Sequence, residues 1–73
     1  MAREKLWRSV NGDKLYVFNW IGGGFNDVWA INKAEAIKKA EDGLTLKVDK
    51  STLRAVTKTQ WYEWNKSNQL LWI

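Results

Sequence analysis

The first third of the chain alternates between apolar and polar positions in a way that predicts a hairpin and a third strand. Residues 5–10 and 14–21 are rich in β-formers, and an Asn-Gly pair lies between them at positions 11 and 12. Asn-Gly favours a type I′ turn, which needs a positive φ at both central residues. The stretch 14–21 is apolar on both faces and predicts a central strand. Gly22-Gly23-Gly24 then breaks the pattern, and residues 27–31 predict a short third strand.

The next segment carries the signals of a helix over about residues 33–42. Asn32 is a favourable N-cap, and Glu35 follows three positions later, close to the capping-box pattern. Gly43 supplies the expected stop just past the helix. The small side chains of this helix would let it lie close against a sheet. Its predicted apolar stripe consists of Ala34, Ile37, Ala40 and Leu44, with Ala36 beside it.

The last third predicts two more strands, over 44–48 and 53–56, and then leaves two interpretations open. Residues 57–60 (Thr-Lys-Thr-Gln) fit a capping box, which favours a second short helix near 58–66. Alternatively, 60–64 and 69–73 form a terminal hairpin. We favour the helix. The whole chain, residues 1–73, then predicts a single small α+β domain: a small antiparallel sheet with one Ala-rich helix packed on it.

The composition favours binding over catalysis. Six of the 73 residues are tryptophan, and cysteine and histidine are both absent. Without them the usual nucleophile–base pairs are missing, and the aspartates fall mainly at turns, so we expect no catalytic residue, no metal site and no cofactor. A chain of this length cannot enclose all of its large apolar side chains. Some indoles are therefore expected to stay partly exposed, or to be covered by a partner or a second copy.

The net charge and the distribution of apolar residues bear on the kind of partner and on the compartment. Twelve basic and eight acidic residues leave a net charge of +4, a mild bias toward anionic partners. No apolar run approaches the length of a membrane span, and the start lacks the apolar core of a secretory signal. The lack of cysteine suits a reducing compartment. We therefore expect a cytoplasmic protein without membrane contact.

Two sets of side chains are candidates for binding. Exposed indoles beside a mobile, aromatic-edged glycine loop suit a protein interface, because aromatic anchors dominate such contacts. Basic residues interleaved with indoles suit single-stranded DNA or RNA instead, through phosphate contacts and base stacking. The alternative to both is that the lysines are solvated and the indoles are core. The protein-contact candidates are Trp20, Gly23, Phe25, Trp61, Trp64 and Trp72, and the nucleic-acid candidates are Trp7, Arg8, Lys47, Arg54 and Lys58.

Two segments resemble short auxiliary proteins of tailed bacteriophages, in particular small proteins of cyanobacterial myoviruses. They are residues 16–27 (YVFNWIGGGFND) and 32–40 (NKAEAIKKA), and the resemblance covers about residues 14–43. The order of strands, Ala-rich capped helix and further strands is similar. The resemblance implies a protein of a bacterial host cytoplasm that docks on a host or phage protein as an inhibitor or adaptor. It identifies no individual functional residue.

Overall fold

A computed structural model describes residues 4–70 of the chain, with the side chains of residues 69 and 70 left aside. Three antiparallel strands form one sheet in the order β2-β1-β3, and two helices accompany it. The α+β class predicted from the sequence is confirmed. The elements are β1 (Lys14–Trp20), β2 (Phe25–Ala30), α1 (Lys33–Glu41), β3 (Val48–Ala55) and α2 (Lys58–Leu70).

The central strand β1 is buried on both faces, as its sequence predicts. Because side chains alternate along a strand, β1 contributes to two apolar clusters. On one face Tyr16, Phe18 and Trp20 pack with Ala36 of α1. On the other face Leu15 and Val17 pack beneath the indoles of α2. Each helix therefore covers one face of the sheet.

Helix α1 begins and ends where the sequence predicts. The Asn32 side chain accepts a hydrogen bond from the Glu35 amide at 2.8 Å, and Gly43 takes a φ of +71° just past the helix. The predicted stripe is partly wrong. Ala36 is buried and Ile37 and Ala40 are half-buried, but Ala34 and Leu44 are exposed. The helix presents its 36–37–40 side to the sheet, and Leu44 lies beyond the helix stop.

Helix α2 settles the choice between helix and hairpin. The Thr57 hydroxyl accepts from the Gln60 amide at 3.1 Å, and the Gln60 side chain accepts from the Thr57 amide at 3.0 Å. This reciprocal pair is the predicted capping box. The terminal hairpin is wrong for the described residues, and the helix runs further than predicted, to Leu70. Residues 71–73 lie outside the described part.

The segment predicted as a first strand, residues 5–10, makes only isolated bridges. Its hydrogen bonds are divided between two partners. The Trp7 amide donates to the Val56 carbonyl, and the Trp7 carbonyl accepts from the Leu15 amide. Because neighbouring bonds go to different partners, no continuous ladder forms.

The predicted type I′ turn is also wrong. Only Gly12 has a positive φ, whereas Asn11 does not. The Gly12 amide donates to the Ser9 carbonyl, and the Ser9 hydroxyl accepts from the amides of Asn11 and Asp13. A type I turn followed by one left-handed glycine is the next commonest hairpin connection.

The two strands predicted over 44–48 and 53–56 are replaced by the single strand β3, and residues 44–47 are not strand. β3 contains a wide irregularity, because Val17 pairs with Arg54 whereas Asn19 pairs with Asp49. The Thr52 hydroxyl bridges this gap. It accepts from the Asn19 amide at 2.8 Å and donates to the Asp49 carbonyl at 2.7 Å.

Removing the α2 cap should destabilise the fold. We expect Thr57→Ala to lower the free energy of unfolding by about 1 kcal/mol, because the Gln60 amide loses its acceptor. Urea unfolding followed by tryptophan fluorescence measures this. Thr57→Ser keeps the hydroxyl and serves as the matched control. Equal losses in the two variants would mean that the methyl group, rather than the cap, is what matters.

A second prediction concerns Glu4, which tethers the N-terminal segment to α2. Its carboxylate accepts from the Thr59 hydroxyl at 2.6 Å and from the Thr59 amide at 2.9 Å, and these bonds hold the pKa of Glu4 below its ordinary value. A carboxyl group with a lowered pKa in the folded state stabilises the fold above its unfolded pKa, about 4.3, and stops doing so as the pH falls.

We therefore expect Glu4→Gln to be less stable than the wild type at pH 7, with a difference that shrinks as the pH falls toward 3. Urea titrations over that range measure the difference. Glu35, whose pKa is lowered by its hydrogen bonds to Lys39 and the Ile31 amide, is common to both proteins and cancels. A difference that stays constant with pH would contradict a role for the Glu4 charge.

Candidate functional site

Four half-buried indoles form a layer between α2 and the sheet. Trp7 contacts Trp29 and Trp61 edge-on, with ring centroids 5.3 and 5.5 Å apart. Trp64 contacts Phe25 in the same way at 5.1 Å. The backbone of α1 approaches β2 and β3 closely, whereas that of α2 stays farther from the sheet. The indoles fill the wider gap, and we call Trp7, Trp29, Trp61 and Trp64 the indole layer.

One hydrogen bond fixes the indole layer to the edge strand. The Trp61 indole N–H donates to the Asp27 carboxylate of β2 at 2.8 Å. A buried or half-buried indole needs such a partner for its one polar atom. The bond joins residues 34 positions apart and therefore positions α2 against β2.

This packing gives most of the predicted protein anchors a structural role. Trp20 is buried in the α1 cluster, where it meets Phe18 at 5.0 Å. Trp61 and Trp64 belong to the indole layer, and Phe25 packs on Trp64. Trp72 lies outside the described residues. Among the predicted anchors inside residues 4–70, only Gly23 is exposed.

Gly23 belongs to the turn that joins β1 to β2. Gly22, Gly23 and Gly24 all have positive φ, between +91° and +118°, so side chains there would be strained. The Trp20 amide donates to the Gly24 carbonyl at 3.0 Å and closes the loop. The predicted role of the glycines as a turn is thus seen directly. Ile21, at the start of this loop, points into solvent.

Beside this loop lies an exposed apolar surface that the sequence reasoning missed. Ile21 is 64% exposed, Leu44 49% and Leu46 47%. The two leucines lie in the loop between α1 and β3, and both ends of that loop line a groove of about 550 Å³. We call this surface the docking face. Its members are Ile21, Leu44 and Leu46 together with the groove residues Ile37, Glu41, Lys47, Val48, Asp49, Lys50 and Ser51.

The docking face carries two lysines and two carboxylates. Glu41 accepts from the Val48 amide at 2.8 Å, and Asp49 accepts from the Ser51 hydroxyl at 2.6 Å and from its amide at 3.1 Å. Each carboxylate keeps its negative charge, so the groove lining is balanced in charge. Lys47 reaches Glu41 only at 3.8 Å, and its side chain is 67% exposed. Within residues 4–70, Lys50 has no carboxylate at ion-pair distance.

The structure separates the predicted nucleic-acid residues. Lys58 lies over the Trp7 ring at 5.7 Å, so these two are together. Arg8 pairs with Lys14 at the start of β1, whereas the Lys47 carbonyl accepts from Ile21 just after its end. The seven residues of β1 span about 20 Å at roughly 3.3 Å per residue. The basic candidates therefore do not form one continuous patch.

Arg54, the remaining basic candidate, lines a second groove, of about 560 Å³, between α2 and strands β1 and β3. Its guanidinium donates to the Thr52 carbonyl at 3.2 Å. The groove contains one basic and one acidic residue, so its charges balance, and the rest of its lining is polar apart from one indole. Its residues are Asn19, Thr52, Arg54, Gln60, Glu63, Trp64, Ser67 and Asn68.

Both outer strands carry main-chain groups that are already bonded to side chains. On β2, Lys39 donates to the Trp29 carbonyl at 3.1 Å, and the Asn26 side chain accepts from the Asp27 amide at 2.8 Å. On β3, Arg54 donates to the Thr52 carbonyl at 3.2 Å, and the Asp49 side chain accepts from the Ser51 amide at 3.1 Å. Two main-chain groups on each outer strand are therefore engaged by side chains.

The comparisons with known proteins assign no family. Protein-family models, curated proteins and solved structures all give no match to this chain. Within residues 4–70, no three acidic residues gather as a metal site would require. Neither helix of that part is long and apolar enough to cross a membrane. Function is therefore inferred from the surfaces described above.

The bond between α2 and β2 can be measured by a double-mutant cycle. We expect Trp61→Phe and Asp27→Ala each to destabilise the protein, with a coupling energy of about 1 kcal/mol, because either change removes the same hydrogen bond. Trp64→Phe is the control, since its indole N–H has no protein partner among the described residues. A coupling near zero from urea unfolding would show that the bond does not position α2.

Proposed function

We propose that this chain is a non-enzymatic protein-binding module that docks on another protein through the docking face. The observations that support this most directly are the exposure of Ile21, Leu44 and Leu46 and the groove that Ile21 lines. Single exposed apolar side chains are ordinary, whereas several within one short loop and the groove beside it favour an interaction site. Charged residues of both signs at its rim suit selective recognition of a partner.

Burial of the exposed apolar side chains of the docking face by a partner is favourable in free energy. Full burial of one leucine or isoleucine side chain contributes about 1.5–3 kcal/mol, so three such side chains represent a sizeable gain on binding. The fold does not require the exposed side chains of Ile21, Leu44 and Leu46, because they belong to neither of the two clusters on the faces of β1. These three side chains can thus meet a partner without loss of the core.

The resemblance to bacteriophage auxiliary proteins agrees with this role. Proteins of that kind act by occupying a host or phage protein, as inhibitors or adaptors, in the cytoplasm of a bacterial host. Such an activity needs a shaped surface rather than reacting groups.

A matched pair of isoleucines tests the proposed function. Ile21→Ser should abolish binding to proteins of a bacterial host lysate, because it removes the most exposed apolar side chain of the docking face. Ile31→Ser is the control: Ile31 is 60% exposed but follows β2 at the opposite end of the sheet. Affinity capture with quantitative mass spectrometry compares the two variants. Proteins lost from the Ile21 variant and retained by the Ile31 variant are the expected result.

Binding to nucleic acid is the competing outcome. A fluorescence titration with a single-stranded oligonucleotide would then show salt-reversible quenching of the indoles. Quenching that persists in Ile21→Ser and disappears in an Arg54→Ala, Lys58→Ala variant would overturn the proposal in favour of nucleic acid. The same captured proteins with both isoleucine variants would also contradict it.

A further inference from the structure

We infer that the groove between α2 and strands β1 and β3 binds a neutral saccharide, a ligand whose rings carry several hydroxyl groups. It is the groove that Arg54 lines, and we call it the polar groove. Its volume of about 560 Å³ lies within the roughly 300–1,000 Å³ of small-molecule sites. Its lining shares no residue with the groove of the docking face, so the two surfaces can be tested separately.

Core packing does not account for the polar side chains on the two walls of the polar groove. A helix packed on a sheet usually turns apolar residues toward it. Gln60, Glu63 and Ser67 share one side of α2 through spacings of three and four residues, and all three are exposed and line the groove. On the sheet, Asn19 is the one exposed residue of β1, whose other residues are buried or half-buried. The two walls thus enclose a polar space where an apolar core would otherwise continue.

The pairing of β3 with β1 is irregular at this place. Val17 pairs with Arg54, but the register shifts before Asn19, whose main-chain amide donates to the Thr52 hydroxyl at 2.8 Å. This bond engages the main chain of Asn19 and leaves its side-chain amide without a partner within residues 4–70. Irregular pairings of this kind are frequent beside active sites, because they redirect a side chain.

The amide side chains of the lining keep hydrogen-bonding groups for a ligand. The Gln60 side-chain oxygen accepts from the Thr57 amide, and the Asn68 side-chain nitrogen donates to the Trp64 carbonyl at 2.9 Å. The nitrogen of Gln60 and the oxygen of Asn68 are not used in these bonds. A primary amide offers two donors and one oxygen that accepts twice, and a hydroxyl group both donates and accepts. Amide groups that present both kinds of atom therefore match the hydroxyl groups of a sugar.

The charge of the lining favours a neutral ligand. Arg54 is its one cation and Glu63 its one anion, and the two form no ion pair within the described residues. A charged ligand is attracted by one of these groups and repelled by the other, so its electrostatic gain is small. A neutral polyol can use both, because the guanidinium donates to hydroxyl oxygens and the carboxylate accepts from hydroxyl groups.

Trp64 provides the apolar contact that a sugar ring needs. Its side chain is half-buried, its ring meets Phe25 edge-on at 5.1 Å, and its indole N–H has no protein partner among the described residues. An indole has an apolar body and a polar tip. One side chain can therefore cover the C–H face of a pyranose ring and donate to a hydroxyl group.

Two-dimensional ¹⁵N NMR of the full-length chain tests the inference, because it resolves main-chain, side-chain amide and indole N–H signals. The neutral probes are maltotriose, cellotriose and triacetylchitotriose, and adenosine monophosphate is the charged comparison. We expect at least one trisaccharide to shift the signals of the Trp64 indole and of the Asn19 and Asn68 side-chain amides in a saturable way. Its affinity should change by less than about twofold between low and high salt, because a neutral ligand forms no ion pair that salt could screen.

Two variants connect the shifts to the polar groove. Asn19→Ala should weaken binding of that trisaccharide by about threefold to tenfold through the loss of one hydrogen bond, while the main-chain bond to Thr52 remains. Trp64→Phe keeps a ring beside Phe25 but removes the indole N–H, and should also weaken binding. Asn11→Ala is the matched control: Asn11 is likewise exposed but lies in the turn before β1, so the affinity should not change. Circular dichroism of each variant confirms that it is folded.

The contrary outcomes are distinct. No saturable shift with any of the three trisaccharides, or shifts confined to residues outside the polar groove, would overturn the inference and leave a solvated groove. Shifts caused by adenosine monophosphate and not by the sugars would overturn it in favour of a phosphate ligand. Unchanged affinity in both Asn19→Ala and Trp64→Phe would also contradict it. None of these results bears on the docking face, which Ile21→Ser tests independently.

Discussion

The rest of the structure depends on a central strand, β1, that is apolar on both faces. A strand with this pattern is stable only when both faces are covered, and a chain of 73 residues has few ways to cover them. Helix α1 covers one face through small residues and lies close to the sheet. Helix α2 covers the other through indoles and lies farther away. The two helices are therefore different solutions to the same requirement.

This asymmetry explains the tryptophan content better than binding does. An alanine stripe lets a helix approach a sheet, whereas a more distant helix leaves a gap that only large side chains can fill. In the described residues, Trp7, Trp29, Trp61 and Trp64 occupy that gap and contact one another or Phe25 edge-on. Through Trp7, the N-terminal segment also packs in the indole layer. Many aromatic residues in a small domain can thus indicate a thick layer of packing as well as an interface.

The features that the sequence predicts correctly are those with local causes. The caps at Asn32 and Thr57 and the stop at Gly43 depend on residues within four positions, and they place both helices. Two of the errors have distant causes. The bridging hydroxyl of Thr52 depends on its partner Asn19, and the divided bonding of Trp7 depends on two other segments. Neither of these contacts can be predicted from the local sequence pattern.

The same distinction applies to the candidate site. Trp20 and Trp61 were candidates for protein contact because composition alone does not say which indoles pack inside the fold. The docking face could be anticipated only in part: Leu44 follows the helix stop at Gly43, and a leucine beyond a stop has no helical stripe to join. The position of Glu41 could not be anticipated, because its bond to the Val48 amide depends on the path of the loop between α1 and β3.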